Sequence, residues 1–272
     1  MDALPSRVSG QKDPVIVLLR SLTTEEGRRA NGLFFVEGEE LVNRAFDFGA
    51  SVRHVIFCEG FASSGVARAI LERAGSAGIA AYTASEGLIS KVLESKPTPE
   101  CLAIVERRVV PLSQVLHGSC SLIIMVEAGE NADNLGMLLR SADAAGVDGV
   151  VLAADTVDPF CRRAVRASRG AVFTLPICIQ KESARVIDMA RGNGVQVVAS
   201  SARAETCYTA VDMTKPTLLI VGNEHTGISE TVRNLSDEVV RIPMYGRLNS
   251  LNIAVAGSIL LYEARRQRQS KC

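Results

Sequence analysis

SLIIMVEAGENADNLGMLLRSADAAGVDGVVLAA, residues 121–154, contains one complete repeat of strand, helix and strand, and its reading decides the fold class. SLIIMVEA is apolar at nearly every position, as suits a strand buried on both faces; a strand with one wet face would alternate. The amphipathic ADNLGMLLRSAD that follows reads as a helix, and GVDGVVLAA as a second buried strand. Downstream, VQVVAS (195–200), TLLIVG (217–222) and EVVRIPM (238–244) repeat the apolar pattern with helical stretches between them. That alternation predicts an α/β domain built on a parallel sheet.

Working toward the N-terminus, residues 15–105 alternate more briefly. An apolar helix is expected at Pro14 to Leu22, and FFVEGEELVNRAFDFGA (34–50) reads as a short strand running into an amphipathic helix. SVRHVIFC, the Ala-rich GVARAILERAGSAG, AAYT, a helix near Ser85 to Leu93 and the strand CLAIVE complete a small α/β sandwich. RRVVPLSQVLHGSC breaks the alternation with Pro111 and polar residues. The expected organisation is a first domain over 1–106, a linker over 107–118 and a second domain over 119–272.

The 272 residues, 47% hydrophobic and 22% charged, are enough for two packed cores and argue against disorder. Thirty basic side chains balance thirty acidic ones, so any nucleic-acid site must be a local patch. Two local runs stand out: Arg162, Arg163, Arg166 and Arg169, readable as RNA contacts or plain surface, and Arg265, Arg266, Arg268 and Lys271, readable as a helix end complementing its dipole. Arg28, Arg29 and Arg53 are further candidates for RNA contact or ordinary surface. The seven cysteines are scattered and never spaced as CxxC, which fits reduced thiols better than a zinc site or a disulfide framework. With no signal-peptide core and no apolar run near the ~18 residues a bilayer requires, the expectation is a cytoplasmic protein with no membrane and no metal.

No GxGxxG follows the first strand of the second domain, so neither a dinucleotide site nor the glycine-rich loop of the common methyltransferase fold is evident. GNEHTGIS (222–229) has glycines spaced like a phosphate loop, but Ile228 stands where a lysine is required. Instead, three segments with polar residues lie where strands end, the region in which open α/β sheets bind ligands. They are NADNLGMLLRSADAAGVDGVVL (131–152), LLIVGNEHTGIS (218–229) and IPMYGRLNSLNIAVAGSILLYEA (242–264). Together with RASRGAVFTLPI (166–177), in this order, they resemble the motif set of the TrmH/SpoU family of RNA ribose 2'-O-methyltransferases. FFVEGEELVNRA more loosely resembles the start of the ribosomal-protein-like RNA-binding domain that many members carry.

The resemblance implies a C-terminal domain with a deep trefoil knot, an exception to the rule that chains avoid threading loops. It also implies a homodimer and S-adenosylmethionine as methyl donor, with ribosomal RNA as substrate ahead of tRNA. Carried over by position, the cofactor cleft would be formed by Gly222, Asn223, Glu224, Ile242, Met244, Gly246 and Leu251. Apolar walls and approachable backbone at a loop-rich strand end suit an adenine ring. Arg140 matches the family's arginine, either as general base or, because a guanidinium keeps its proton, as a grip on the target phosphate and the developing alkoxide. Glu224 would face a cationic partner, with Arg140 as the candidate. Asn134 and Asn252 would tie the motif loops together, and Ser250 would orient the hydroxyl or hold Arg140.

Plainer explanations exist for each residue alone. The glycines could serve turn geometry, Met244 core filling, Asn134 an N-cap, and Arg140 an exposed helix face. Glu37, Glu39 and Glu40 invite a reading as paired carboxylates, but Glu37 opens a helix beside Gly38 and is better explained by the helix dipole. His225 reads as surface, and His54 and His117 as structural. Asn223 stands where the family often has serine. Two other function classes fit such a chain: an inactive RNA-binding or assembly protein of the same fold, and an α/β enzyme acting on a small molecule.

Overall fold

The computed structural model describes residues 5–117 and 122–269; Cys120, Lys271 and Cys272 lie outside the described residues. Twelve strands are found among the described residues: β1 Ser6–Arg7, β2 Leu33–Glu37, β3 Val52–Cys58, β4 Ala80–Ala84, β5 Cys101–Glu106, β6 Leu122–Glu127, β7 Gly149–Ala153, β8 Ile177–Gln180, β9 Gln196–Ser200, β10 Thr206–Cys207, β11 Thr217–Val221 and β12 Glu238–Arg241. They form two sheets, one in each of two compact units. The first unit runs up to Arg107 and takes in Phe160–Phe173; the second consists of Arg108–Pro159 and the chain from Thr174 onward.

In the first unit the sheet order is β1-β4-β3-β5-β2. Strands β1, β4 and β3 are parallel, and β5 pairs antiparallel with both β3 and β2. Phe35, Ile56, Leu102 and Ile104 pack on one face against Ile16 and Leu19 of the helix Pro14–Ser21 and Ile89 of the helix Glu86–Leu93. The alternate residues Phe34, Val36, Val55, Phe57, Ala103 and Val105 are also buried, so both faces are covered. A short helix, Glu25–Asn31, has no apolar stripe to announce it. It is set by its ends: Thr24 accepts from the Gly27 amide, and Gly32 closes it in the left-handed region at φ 64°.

One expectation for this unit is corrected. Arg28, a candidate RNA contact, is 5% exposed and donates to the Leu22 and Thr23 carbonyls at 3.0 and 3.2 Å. It therefore satisfies acceptors at the end of the preceding helix instead of facing a ligand. Arg28→Ala should cost about 2 kcal/mol of stability in chemical denaturation, the range for buried charged hydrogen bonds; an unchanged midpoint would contradict this role. Residues 160–173, inside the span expected for the second domain, cluster by contact with the first unit. Phe160 and Phe173 pack on Phe34, with ring centroids 5.1 and 6.2 Å away, and so join the first unit.

The second unit carries the expected parallel sheet, ordered β10-β12-β9-β11-β6-β7-β8, with every pairing parallel. Ile123, Met125, Val151, Val197, Leu218 and Ile220 pack on one face with Val186, Ile187 and Ala190 of the helix Ser183–Gly192 and Val232 of the helix Glu230–Leu235. The other face carries Ala132–Ala144 and the long C-terminal helix Ile253–Gln269, which pack side by side. Burial on both sides is why the strands read as unbroken apolar runs.

The five described cysteines, Cys58, Cys101, Cys161, Cys178 and Cys207, form no disulfide. Burial, with nearby Glu39 and Glu100, pushes the Cys101 thiol up to about 12, so it packs as an inert apolar group. No helix among the described residues is long and apolar enough to cross a membrane.

Candidate active site

Strands β9, β11 and β12 end on the same side of the sheet, because all run parallel, and the loops leaving them surround one cavity of about 720 Å³. The segment 200–203 after β9, 221–227 after β11 and 241–251 after β12 all line it. Gly222, Asn223, Glu224, Ile242, Met244, Gly246 and Leu251, the residues proposed from sequence for a cofactor cleft, are all on this wall, and so is Ser250. Position at the carboxyl ends of parallel strands is the general ligand site of such sheets.

The loop after β11 is a tight turn. Asn223 and Gly227 exchange backbone bonds at 3.1 and 2.9 Å, and the buried Asn223 side chain accepts from the His225 and Thr226 amides while donating to the Ala128 carbonyl at 2.9 Å. A Cβ on Gly222 would sit 2.4 Å from the Gly227 carbonyl, so only glycine allows this closure. Gly246 differs: nothing lies within 4 Å of where its Cβ would be, so no neighbour in the chain demands glycine there.

Glu224 is fixed from a distant segment. Asn134 Nδ2 donates to Glu224 Oε1 at 2.7 Å, and Asn134 Oδ1 accepts from Asn252 Nδ2 at 2.7 Å. One amide thus joins all three motif segments. Asn134 is free for this because the N-cap of its helix is Asn131, whose side chain accepts from the Asp133 and Asn134 amides. Asn252 likewise caps the C-terminal helix through the Ala254 amide at 2.8 Å. Beneath the turn, Glu127 at the end of β6 is 4% exposed and accepts from Ser183 Oγ and from both the amide and the hydroxyl of Ser229. No motif reading singled out Asn131 or Glu127, although a carboxylate ending a buried apolar strand was a visible signal.

Arg140 is exposed on the helix Ala132–Ala144 and lies outside the cavity wall. Its expected pairing with Glu224 does not form. Glu224 is bonded to Asn134, and six residues of helix put Arg140 about 9 Å farther along the axis. Ser250 is exposed and makes no bond to Arg140. Arg140 stands instead beside apolar surface: Met137, Val255 and Tyr262 are 44%, 47% and 53% exposed. Residues 137, 140 and 141 share one side of their helix, residues 255, 258 and 262 one side of the other, and Ser258 Oγ donates to Ser141 Oγ at 2.7 Å where these sides meet.

The remaining arginine candidates are in the first unit. Arg29 pairs with Glu25, Arg162 with Glu37 at 2.6 Å and the Leu93 carbonyl, and Arg169 with Glu40 at 2.6 Å. Glu37 thus ends β2 as an ion-pair partner, not as the helix-dipole residue expected from sequence. Arg166 is exposed. Among the described residues no group of three His, Cys, Asp or Glu side chains is arranged to hold a metal ion.

Comparison with known proteins identifies the family. Residues 121–262 match the model of the SpoU rRNA Methylase family, and residues 13–103 match the MRM3-like substrate binding domain. The 23S rRNA (guanosine(2553)-2'-O)-methyltransferase RlmP of Bacillus subtilis is 28% identical over 259 residues, 95% of this chain and 99% of that protein. The 23S rRNA (uridine(2479)-2'-O)-methyltransferase of Streptomyces viridochromogenes is 32% identical over 248 residues, 89% of this chain and 86% of that protein. The crystal structure of an AdoMet-bound rRNA methyltransferase from Sinorhizobium meliloti superposes with a TM-score of 0.85 at 30% identity, covering 97% of this chain and 98% of that one.

Proposed function

This chain belongs to the SpoU rRNA methylase family, and from that premise we propose that it transfers a methyl group from S-adenosylmethionine to a ribose 2'-hydroxyl of ribosomal RNA. The observation that carries the reading is the single cavity lined by the loops after β9, β11 and β12, with Glu224 on its wall held by Asn134, which in turn accepts from Asn252. Its residues fit the cofactor. Ile242, Met244 and Leu251 offer apolar walls to a purine, the turn 222–227 offers backbone polar groups, and Gly246 leaves space for a ligand to approach the backbone.

S-adenosylmethionine, when bound, supplies an electrophilic methyl group on a sulfonium. The chain must then bring the ribose oxygen into line and accommodate charge developing on it, so positioning provides much of the rate. Asn134 and Asn252 keep Glu224 and the two loops in register. Arg140, exposed and without an ion-pair partner among the described residues, grips a target phosphate and stabilises negative charge on the ribose oxygen as its proton passes to solvent water. The first unit contacts RNA by shape and phosphate, with the exposed Arg166 as local positive charge and Arg29 and Arg169 available only by exchanging their carboxylate partners.

The working form is a homodimer in the cytoplasm, its subunit a C-terminal domain knotted as in the rest of the family. The exposed strip Met137, Val255 and Tyr262 supports the dimer, since apolar surface beside a functional residue gains most from a second copy. Tyr262→Glu should shift the sedimenting species from dimer to monomer; an unchanged mass would remove this face from the interface. The function itself is tested by mapping ribose methylation on total RNA from cells with and without the gene. A 2'-O-methyl mark on ribosomal RNA should vanish with the gene, whereas a lost mark on tRNA alone, or none, would overturn the assignment.

A further inference from the structure

One wall of the cavity is built by residues that no motif marks. β9 ends at Ser200 and its neighbour β12 at Arg241, and the cavity there is lined by Ser201, Arg203, Arg233 and Arg241. Arg233 is half-buried, and its Nη2 donates to Ser201 Oγ at 3.0 Å; the Arg203 amide donates to the same hydroxyl at 3.3 Å. Arg241 Nε donates to the Glu205 carbonyl at 3.3 Å. None of these three guanidinium groups is paired with a carboxylate among the described residues. The cavity's one lining carboxylate, Glu224, is tied to Asn134, on the β6 side of β11. Ser201, which holds Arg233, follows β9, whereas Glu224 follows β11 and is held from the β6 side, so the cation and the carboxylate are fixed from different sides of β11.

We infer that Arg233, held by Ser201, anchors the carboxylate of the methionine half of the cofactor. The inference rests on the assignment of this cavity to S-adenosylmethionine. That molecule carries two cationic groups, a sulfonium and an ammonium, and one anionic group. The cations are repelled by the guanidinium end and attracted toward Glu224, so the carboxylate is the group that belongs at Arg233. A guanidinium suits it by geometry as well, because its planar fork offers parallel donors to two carboxylate oxygens. The bond to Ser201 fixes the fork in advance, leaving its other N–H groups for the ligand. The exposed Arg203 and Arg241 add to the local field without taking part in the contact. Arg233 is thus a positioning residue that fixes which way round the cofactor lies.

The test compares two nucleosides that differ only in this group: S-adenosylhomocysteine and its decarboxylated counterpart, the 3-aminopropyl thioether of adenosine. Calorimetric titration of the full chain should show Arg233→Gln weakening S-adenosylhomocysteine by about tenfold to a hundredfold, the range for charge-assisted hydrogen bonds. Affinity for the decarboxylated nucleoside should stay within about twofold. Arg233→Lys should recover part of the loss, and Ser201→Ala, a milder change should the Gln variant fail to fold, should give a smaller loss on the carboxylate ligand alone. Equal losses on both nucleosides, or no loss on either, would overturn the inference. So would a variant that keeps both nucleosides but loses ribosomal RNA, since Arg233 would then serve a phosphate. If the wild-type chain binds neither nucleoside, it is the assignment of the cavity that fails, a result distinct from a failure of Arg233.

Discussion

Arg140→Ala should lower kcat for RNA methylation by at least about a hundredfold, the order seen when a single group stabilising developing negative charge is removed. Cofactor affinity should stay within about twofold, because Arg140 does not line the cavity and holds none of its walls. The contrast follows from geometry. Arg140 is exposed, six residues beyond the Asn134 that supports Glu224, and makes no ion pair among the described residues, so truncation leaves the cofactor end intact. Stability should also be nearly unchanged, as for most exposed substitutions. Single-turnover methylation together with titration of S-adenosylhomocysteine separates the two effects. Near-normal turnover would remove Arg140 from the chemistry, and a parallel loss of nucleoside binding would make it part of the cofactor site.

Gly222→Val should act the other way round, on binding first. Its Cβ would lie 2.4 Å from both the carbonyl carbon and oxygen of Gly227 and 2.5 Å from the Ile228 amide, all backbone atoms that cannot swing aside. The turn must open, and with it the Asn223 bonds that set its shape. Overpacking of this kind costs about 1–3 kcal/mol. If that cost falls on the closed turn, nucleoside affinity drops by about tenfold or more. Titration calorimetry on the variant checks this, with the melting temperature as control. Unchanged affinity would move the cofactor away from this turn.

How much of this was legible in the sequence depended on whether a residue's reason was local. The strands β6, β7, β9, β11 and β12 stood out because burial on both faces leaves an unbroken apolar run. β8 did not, since its four residues ICIQ follow Pro176 inside a segment read as motif. The two-residue strands β1 and β10 have no periodicity to detect, and the helix Glu25–Asn31 is polar all round apart from its caps. The seven residues assigned to the cofactor cleft could be located because family resemblance supplied their register, not because glycine or methionine marks a site. Arg28 and Arg162 show the converse. An arginine run looks the same in sequence whether it meets RNA, a helix end or Glu37, and only the folded chain separates these cases. Arg233 was missed for a related reason: it enters the cavity from a helix outside every motif.

The identity of the atom that receives the methyl group decides the assignment. Purified protein incubated with ribosomal RNA and methyl-labelled S-adenosylmethionine, followed by digestion to nucleosides and mass spectrometry, reads this directly. The prediction is label on a 2'-O-methylated nucleoside, absent with Arg140→Ala. Label on a base, or incorporation that does not require RNA, would contradict it.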